Sequence, residues 1–257
     1  MNSPLALHQS GFIPANARLL AAASASAYAT DLSPTADVIP IYCPNTDTHV
    51  TVTRYDDCTV LAFRGTRDLA NWLTDAEFFR ASIPAGQVHR GFLAAANSVL
   101  PLIKAALPPP QASSPKPQAV PLILTGHSLG GALAVLCGYF LAEENYPIHS
   151  VYTFGQPRVG NAAFARHYSE LLGNRTCRVI NQNDLVPRLP GWLLGYRHAG
   201  QAQFLTTFGQ LISDPPAWIM LLSDALGLWQ AWRSRNALPL TDHYIQHYVE
   251  KLRALGE

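Results

Sequence analysis

Charge is scarce in this chain. Asp, Glu, Lys and Arg together make up 14% of its 257 residues, and the formal net charge is +1. Lys and Arg form no run, which leaves no electrostatic footprint for nucleic acid or for an acidic membrane surface. No stretch reaches the roughly 18 consecutive apolar residues that a membrane-spanning helix needs. Cysteine is sparse too: Cys43, Cys58, Cys137 and Cys177 contain no C-x-x-C pair and have no His at zinc-finger spacing, so no metal site is expected. Cys137 and Cys177 read as buried thiols, while Cys43 and Cys58 flank a predicted strand and leave a disulfide across a hairpin open. Residues 1–11 lack Lys and Arg, so there is no clear secretory signal peptide, although Ala25-Ser26-Ala27 imitates a cleavage site. Residues 19–29 read instead as an opening helix, and the compartment stays open between the cytoplasm and export. No internal repeat is found.

What is present is apolar. Hydrophobic residues make up 48% of the chain, enough for a sizeable core, and the length suits one α/β domain over residues 1–257. Residues 39–43, 49–54 and 59–63 are β-rich runs separated by Pro, Asn and Asp, and predict adjacent strands, antiparallel at first. Residues 88–107 read as a helix with Phe92, Ala95, Ala96, Val99, Leu102 and Ile103 on one face and Pro101 inside it. Residues 108–118, rich in Pro and Ser, read as a loop. From there strand and helix alternate: strand 120–125, helix 130–144, strand 148–154, helix 162–172, strand 176–181. That order predicts a mostly parallel central sheet flanked by helices.

At the first junction of this series stands Gly126-His127-Ser128-Leu129-Gly130, a G-x-S-x-G sequence between strand and helix. A serine there sits on a tight turn, and glycines flank it because no side chain fits where the turn presses on its neighbours. The turn exposes the Ser128 hydroxyl near the positive end of the following helix, where oxyanion charge is favoured. Serine at neutral pH needs a base, and the base needs an orienting carboxylate. Asp184 follows the predicted strand 176–181, at the end of the sheet where open α/β folds assemble their sites; Asp214 and Asp242 follow no predicted strand. Among the histidines, His127 should point away from the serine and His198 reads as part of a strand. His243, with Thr241 or Asp242 as a helix cap before it, is favoured as the base over His247 one turn later. Leu129 N–H supplies one oxyanion donor, and Thr66, at the end of strand 59–63, offers a backbone N–H and a hydroxyl as the other.

These residues together resemble the class 3 lipases, the family of filamentous-fungal triacylglycerol lipases. The resemblance is carried by Phe63-Arg64-Gly65-Thr66, Asn71-Trp72, Val88-His89-Arg90-Gly91-Phe92 and Thr125 to Ala134. It continues through Thr153-Phe154-Gly155-Gln156-Pro157-Arg158-Val159-Gly160-Asn161 and Asn183-Asp184-Leu185-Val186-Pro187-Arg188-Leu189-Pro190. It implies an α/β-hydrolase fold, a triad of Ser128, Asp184 and His243, and oxyanion donors at Thr66 and Leu129. It also implies a short helical lid over about residues 67–77, where Leu69, Trp72 and Leu73 are apolar among polar neighbours. The expected activity is hydrolysis of acylglycerol-type esters through an acyl-enzyme, with no metal and no organic cofactor, on a lipid or ester substrate at an oil–water or membrane interface. Phospholipase A1 and feruloyl or short-chain esterase activities remain alternatives with the same triad, and a catalytically inactive binding module is the alternative from another class. The chain departs from the fungal pattern over about 205–240, where Trp218, Leu221, Leu222, Ala225, Leu228, Trp229 and Trp232 recur at helical spacing. Such a stripe is either core or a lipid-facing rim.

Overall fold

The central strands of this protein are buried along their whole length, because helices cover both faces of the sheet they form. The structure is a computed structural model that describes residues 1–9, 11–29, 33–67, 78–109, 120–182, 184–206, 208–216, 218–219 and 241–255. Among these, in chain order, lie α1 (Pro14–Ser26), β1 (Val38–Cys43), β2 (Thr48–Arg54), β3 (Thr59–Phe63), β4 (Arg80–Ile83) and β5 (Gly86–His89). There follow α2 (Arg90–Ala106), β6 (Leu122–His127), α3 (Leu129–Glu143), β7 (Ile148–Phe154), β8 (Gly160–Asn161), α4 (Ala162–Leu172) and β9 (Thr176–Asn181). β10 (Tyr196–Arg197), β11 (Gln201–Leu205), β12 (Leu211–Ser213) and α5 (Ile245–Ala254) complete the series.

Eight strands make one sheet in the order β1-β2-β3-β6-β7-β9-β11-β12. The run from β3 to β11 is parallel, and the pairs β1/β2, β2/β3 and β11/β12 are antiparallel. The expected α/β-hydrolase architecture is therefore present. Strand alternation sends Leu61, Phe63, Leu122 and Leu124 into a layer with α2, α3 and α4. Val60, Ile123, Tyr152 and Val179 face the opposite layer, with α1 and α5. α3 is buried almost all round, which is why its sequence shows no polar stripe.

A second, antiparallel sheet in the order β10-β8-β5-β4 was not expected. Its strands are too short to leave a periodicity, and the residues 88–107 read as one helix begin in it. His89 ends β5 and caps α2, its Nδ1 accepting from Phe92 N–H at 3.3 Å. All four cysteines are free thiols. Cys43 pairs with Thr48 at one end of β2, whereas Cys58 adjoins Thr59, which pairs with Arg54 at the other end. The two thiols are thus separated by the length of a strand, and the open disulfide is closed as an option. The expected lid residues Leu69, Trp72 and Leu73 lie outside the described residues, as do 220–240 of the expected insertion. The described start of that insertion carries β12, an edge strand paired with β11. Among the described residues no helix is long and apolar enough to cross a membrane.

Candidate active site

Ser128 connects β6 to α3 with φ 56° and ψ −127°, a region that non-glycine residues rarely occupy and that costs about 1–3 kcal/mol. Two glycines make the turn possible by their missing side chains. A Cβ at Gly126 would lie 2.3 Å from the carbonyl of Gly130, and one at Gly130 would lie 2.1 Å from the Phe63 oxygen. Ser128 N–H donates to Phe154 O of β7 at 2.9 Å, fixing the turn to the sheet. Leu129 is the first residue of α3, so its N–H has no carbonyl to bond within the helix and points to the same end as the serine.

Asp184 comes three residues after β9 and is fully buried. Its carboxylate accepts from Val186 N–H on Oδ1 at 2.9 Å and from His243 Nδ1–H on Oδ2 at 2.7 Å. A third donor, the Tyr248 hydroxyl on α5, reaches the same Oδ2. Burial and the Asp184 charge hold the Tyr248 hydroxyl well above its ordinary pKa, so it stays a donor. With Nδ1 committed as a donor, the lone pair of the neutral His243 ring is on Nε2. Nε2 is buried and has no hydrogen-bond partner among the described residues. The ring lines the same cavity as Ser128, about 260 Å³ in volume and walled also by Tyr28, Thr66, Tyr244 and Ile245.

His243 itself lies in a 3-10 turn, Thr241–His243, and not on the helix that follows. α5 begins at Ile245 with Tyr244 as its N-cap residue, so neither Thr241 nor Asp242 caps it. Asn181 at the end of β9 holds this turn in place. Its Nδ2 donates to Asp242 O at 2.8 Å, its backbone N–H donates to Tyr248 Oη at 3.1 Å, and its Oδ1 accepts from Lys251 Nζ at 2.6 Å. Gly155 gives the pair room: with φ at +59°, a Cβ there would sit 2.7 Å from Asp184 Oδ2 and 2.9 Å from His243 Cε1.

The other histidines fall away. His247 is half-exposed and faces Glu250 at 3.6 Å. His198 follows β10 and hydrogen-bonds Pro187 O through Nε2 at 2.6 Å. His127 packs behind the serine, its ring centroid 4.5 Å from that of His243. Its Nε2 donates to His243 O at 2.6 Å, so its Nδ1 accepts from the Tyr28 hydroxyl at 2.8 Å. Burial first, and then the neighbouring His243, hold its pKa well below the ordinary value. His127 thus stays neutral beside a partner that can take up charge.

Thr66 lines the cavity with Arg67, and the turn before it is tightly seated: a Cβ at Gly65 would lie 2.2 Å from Tyr28 Oη. Arg64, buried behind that turn, pairs with Asp47 Oδ2 at 2.6 Å. The structure therefore brings Thr66, Ser128, Asp184 and His243 together. It adds Tyr28, Gly155, Asn181 and Tyr248, whose roles were not read from the sequence, and gives His127, expected to point away from the serine, its partners Tyr28 and His243. Of the four, Gly155 stands within a segment that carries the resemblance and Asn181 two residues before another.

The model of the family described as "Lipase (class 3)" matches residues 60–194. A secreted mono- and diacylglycerol lipase 1 of Fusarium solani is 38% identical over 149 residues, covering 57% of this chain and 43% of that protein. A chloroplastic phospholipase A1-Igamma2 of Arabidopsis thaliana is 32% identical over 167 residues, covering 52% of this chain and 31% of that protein. The chain thus spans about half or less of the length of the curated relatives it matches. Among solved structures, Rhizomucor miehei triacylglyceride lipase superposes with a TM-score of 0.63 at 28% identity, covering 77% of this chain and 82% of that one.

Proposed function

The chain belongs to the class 3 lipase family, and from that premise we propose that it hydrolyses apolar carboxylic esters of the acylglycerol type through a serine acyl-enzyme. One observation carries the reading: a fully buried Asp184–His243 pair leaves His243 Nε2, unpartnered among the described residues, in the wall of the cavity that Ser128 lines. His243 Nε2 takes the Ser128 proton as Oγ attacks the ester carbonyl carbon. The oxyanion is held by Leu129 N–H and by Thr66, and the first-turn position of Leu129 adds the favourable helix end. Asp184 keeps Nδ1 protonated and stabilises the imidazolium. Collapse of the tetrahedral intermediate expels the alcohol, which receives the proton from Nε2. Water then repeats the sequence on the acyl-enzyme and releases the acid.

In this reading the lid that the resemblance implies is residues 67–77, with Leu69, Trp72 and Leu73 as its apolar members, the side that would meet a lipid surface. The similarity to a phospholipase A1 favours a second reading with the same chemistry at the ester bond of a phospholipid.

The test is hydrolysis of p-nitrophenyl esters from acetyl to palmitoyl, then of a triglyceride emulsion and of phosphatidylcholine vesicles, with Ser128→Ala alongside. Turnover on long chains that falls by about 10⁴- to 10⁶-fold in Ser128→Ala is expected. Preference for emulsion over vesicles marks a lipase, and the reverse marks a phospholipase. Absence of Ser128-dependent turnover on every ester would sink the proposal and leave a binding module.

A further inference from the structure

Four large apolar side chains are displayed together on the outside of the small sheet. Trp192, Leu193 and Leu194 form a 3-10 turn with relative exposures of 52%, 81% and 51%, and Phe79 is 55% exposed. Phe79 lies near this turn because both its neighbours in the chain meet Tyr196, two residues after it. Tyr196 Oη donates to Phe78 O at 3.1 Å, and the Arg80 guanidinium lies 5.7 Å from the centre of the Tyr196 ring.

The turn is held from both sides, so its side chains stand out from a fixed backbone. Leu194 N–H bonds Gly191 O and Gly195 N–H bonds Trp192 O, each at 3.0 Å. Arg197 Nη1 donates to Trp192 O at 2.8 Å, and Arg158 Nη1 donates to Pro190 O at 3.0 Å at its base. β10, immediately after the turn, is paired with β8. Three consecutive large hydrophobic residues exposed on a braced loop are not what a water-facing surface selects.

The described charges that flank the tip are basic. Arg80 and Arg197 flank it, and Arg90 lies over Phe79 at 5.1 Å. From residue 185 to residue 213 the chain has no Asp or Glu, so the net charge of +1 conceals a local basic rim. Apolar side chains at the centre with Arg at the edge match an anionic lipid headgroup layer: the hydrocarbon enters and the guanidiniums stay among the phosphates. The tip lies in the connection between Asp184 and β11.

The geometry points to the turn of Trp192, Leu193 and Leu194, rimmed by Arg80 and Arg197, as an anchor that docks this protein on anionic phospholipid bilayers. The anchor serves the proposed lipolytic reading, yet it acts without the catalytic serine and is tested apart from it. Ser128→Ala protein is sedimented with vesicles of phosphatidylcholine containing about one third phosphatidylglycerol, and compared with the same protein carrying Trp192→Ser and Leu193→Ser. Each lost side chain should lower the partition coefficient about tenfold, roughly a hundredfold for the pair. Binding of the parent should weaken when phosphatidylglycerol is omitted or when salt is raised from about 0.1 to 0.5 M. With Ser128 restored, the same double variant should keep its kcat/KM on p-nitrophenyl butyrate, which shows that the fold is intact. Partitioning that the double substitution leaves unchanged would overturn the proposal. So would parent protein that sediments as a dimer without lipid and becomes monomeric in the variant, because the tip would then be a contact between copies.

Discussion

The two halves of the site are built by different forces. The Ser128 half is one contiguous stretch, and sterics shape it: Gly126 and Gly130 lack the carbons that would collide with backbone at 2.3 and 2.1 Å. The Asp184–His243 half is gathered from β7, β9, the 241–243 turn and α5. Hydrogen bonds from Val186, Tyr248 and Asn181 hold it. A half made by close contact should fail when one carbon is added. A half made by hydrogen bonds should fail when a proton is added or a hydroxyl removed.

Adding the carbon is the harshest of these tests. In Gly130→Ala the new Cβ meets Phe63 O at 2.1 Å and Phe63 C at 2.8 Å, both backbone atoms of β3, which cannot rotate away. α3 must lift from the sheet, at a cost of about 3 kcal/mol, and Ser128 moves with it. Gly138→Ala on the same helix is the matched control. Its Cβ would come no nearer than 3.5 Å to Leu124 Cδ2 and Val151 Cγ2, an ordinary contact. Replacing an interior helical glycine there should stabilise by about 0.5–1 kcal/mol. Thermal melts of both variants should therefore move in opposite directions, and activity on a soluble ester should be lost only in Gly130→Ala. Equal shifts in the two would mean that the elbow is not sterically set.

Adding a proton attacks the other half through His127, whose ring bonds the His243 carbonyl. Burial and His243 depress its pKa well below 6.5, and burial and Arg90 bring His89 down to about 4. A histidine with a depressed folded-state pKa contributes its full stability above the unfolded value of about 6.5 and loses it as pH falls toward the folded value. Each such ring should remove about 1.4 kcal/mol per pH unit below 6.5. Melting temperature should thus drop steadily between about pH 6.5 and 4.5. In His127→Gln, which retains a donor toward the His243 carbonyl, the slope should be shallower by one ring's share. An unchanged slope would place the sensitivity elsewhere.

What could be read from the sequence follows the same division. The elbow was legible because its residues are neighbours in the chain and its glycines state the steric condition directly. The parallel strands were legible because burial on both faces leaves a short continuous apolar run, and α4 because burial of one stripe leaves a helical period. Asp184 was placed by its position after a strand. His243, favoured over His247, is the histidine that contacts Asp184, but it lies in a 3-10 turn and not in the expected helix, because the chain order of Thr241 and Asp242 imitates a cap that the turn does not use. Tyr28, His127 and Tyr248 act across separations of 99, 116 and 64 residues, and no local pattern records such partners. The small sheet escaped because two- and four-residue strands have no period to detect.

Removing the hydroxyl is the mildest test and the most discriminating. Tyr248 donates to the Asp184 oxygen that also receives His243 Nδ1–H, and it accepts from Asn181 N–H at 3.1 Å. Tyr248→Phe keeps the ring in its packing and leaves that N–H without a partner, at a cost of about 1–2 kcal/mol in stability. If Tyr248 served only to fill space or satisfy Asn181, the melt would shift and the pH profile would not. As a positioning residue it does more, because it shares the carboxylate charge with the imidazole. Without the hydroxyl more of that charge acts on His243, which favours the imidazolium and delays release of the proton as pH rises. The acid limb of kcat/KM on a soluble ester should therefore move to higher pH, with the plateau lowered by less than about tenfold. Gly138→Ala, which alters neither donor nor acceptor, should leave that limb in place. A limb that stays fixed in Tyr248→Phe while the melt falls would reduce the tyrosine to a packing role and confine the hydrogen-bonded half to Asp184, His243 and the backbone.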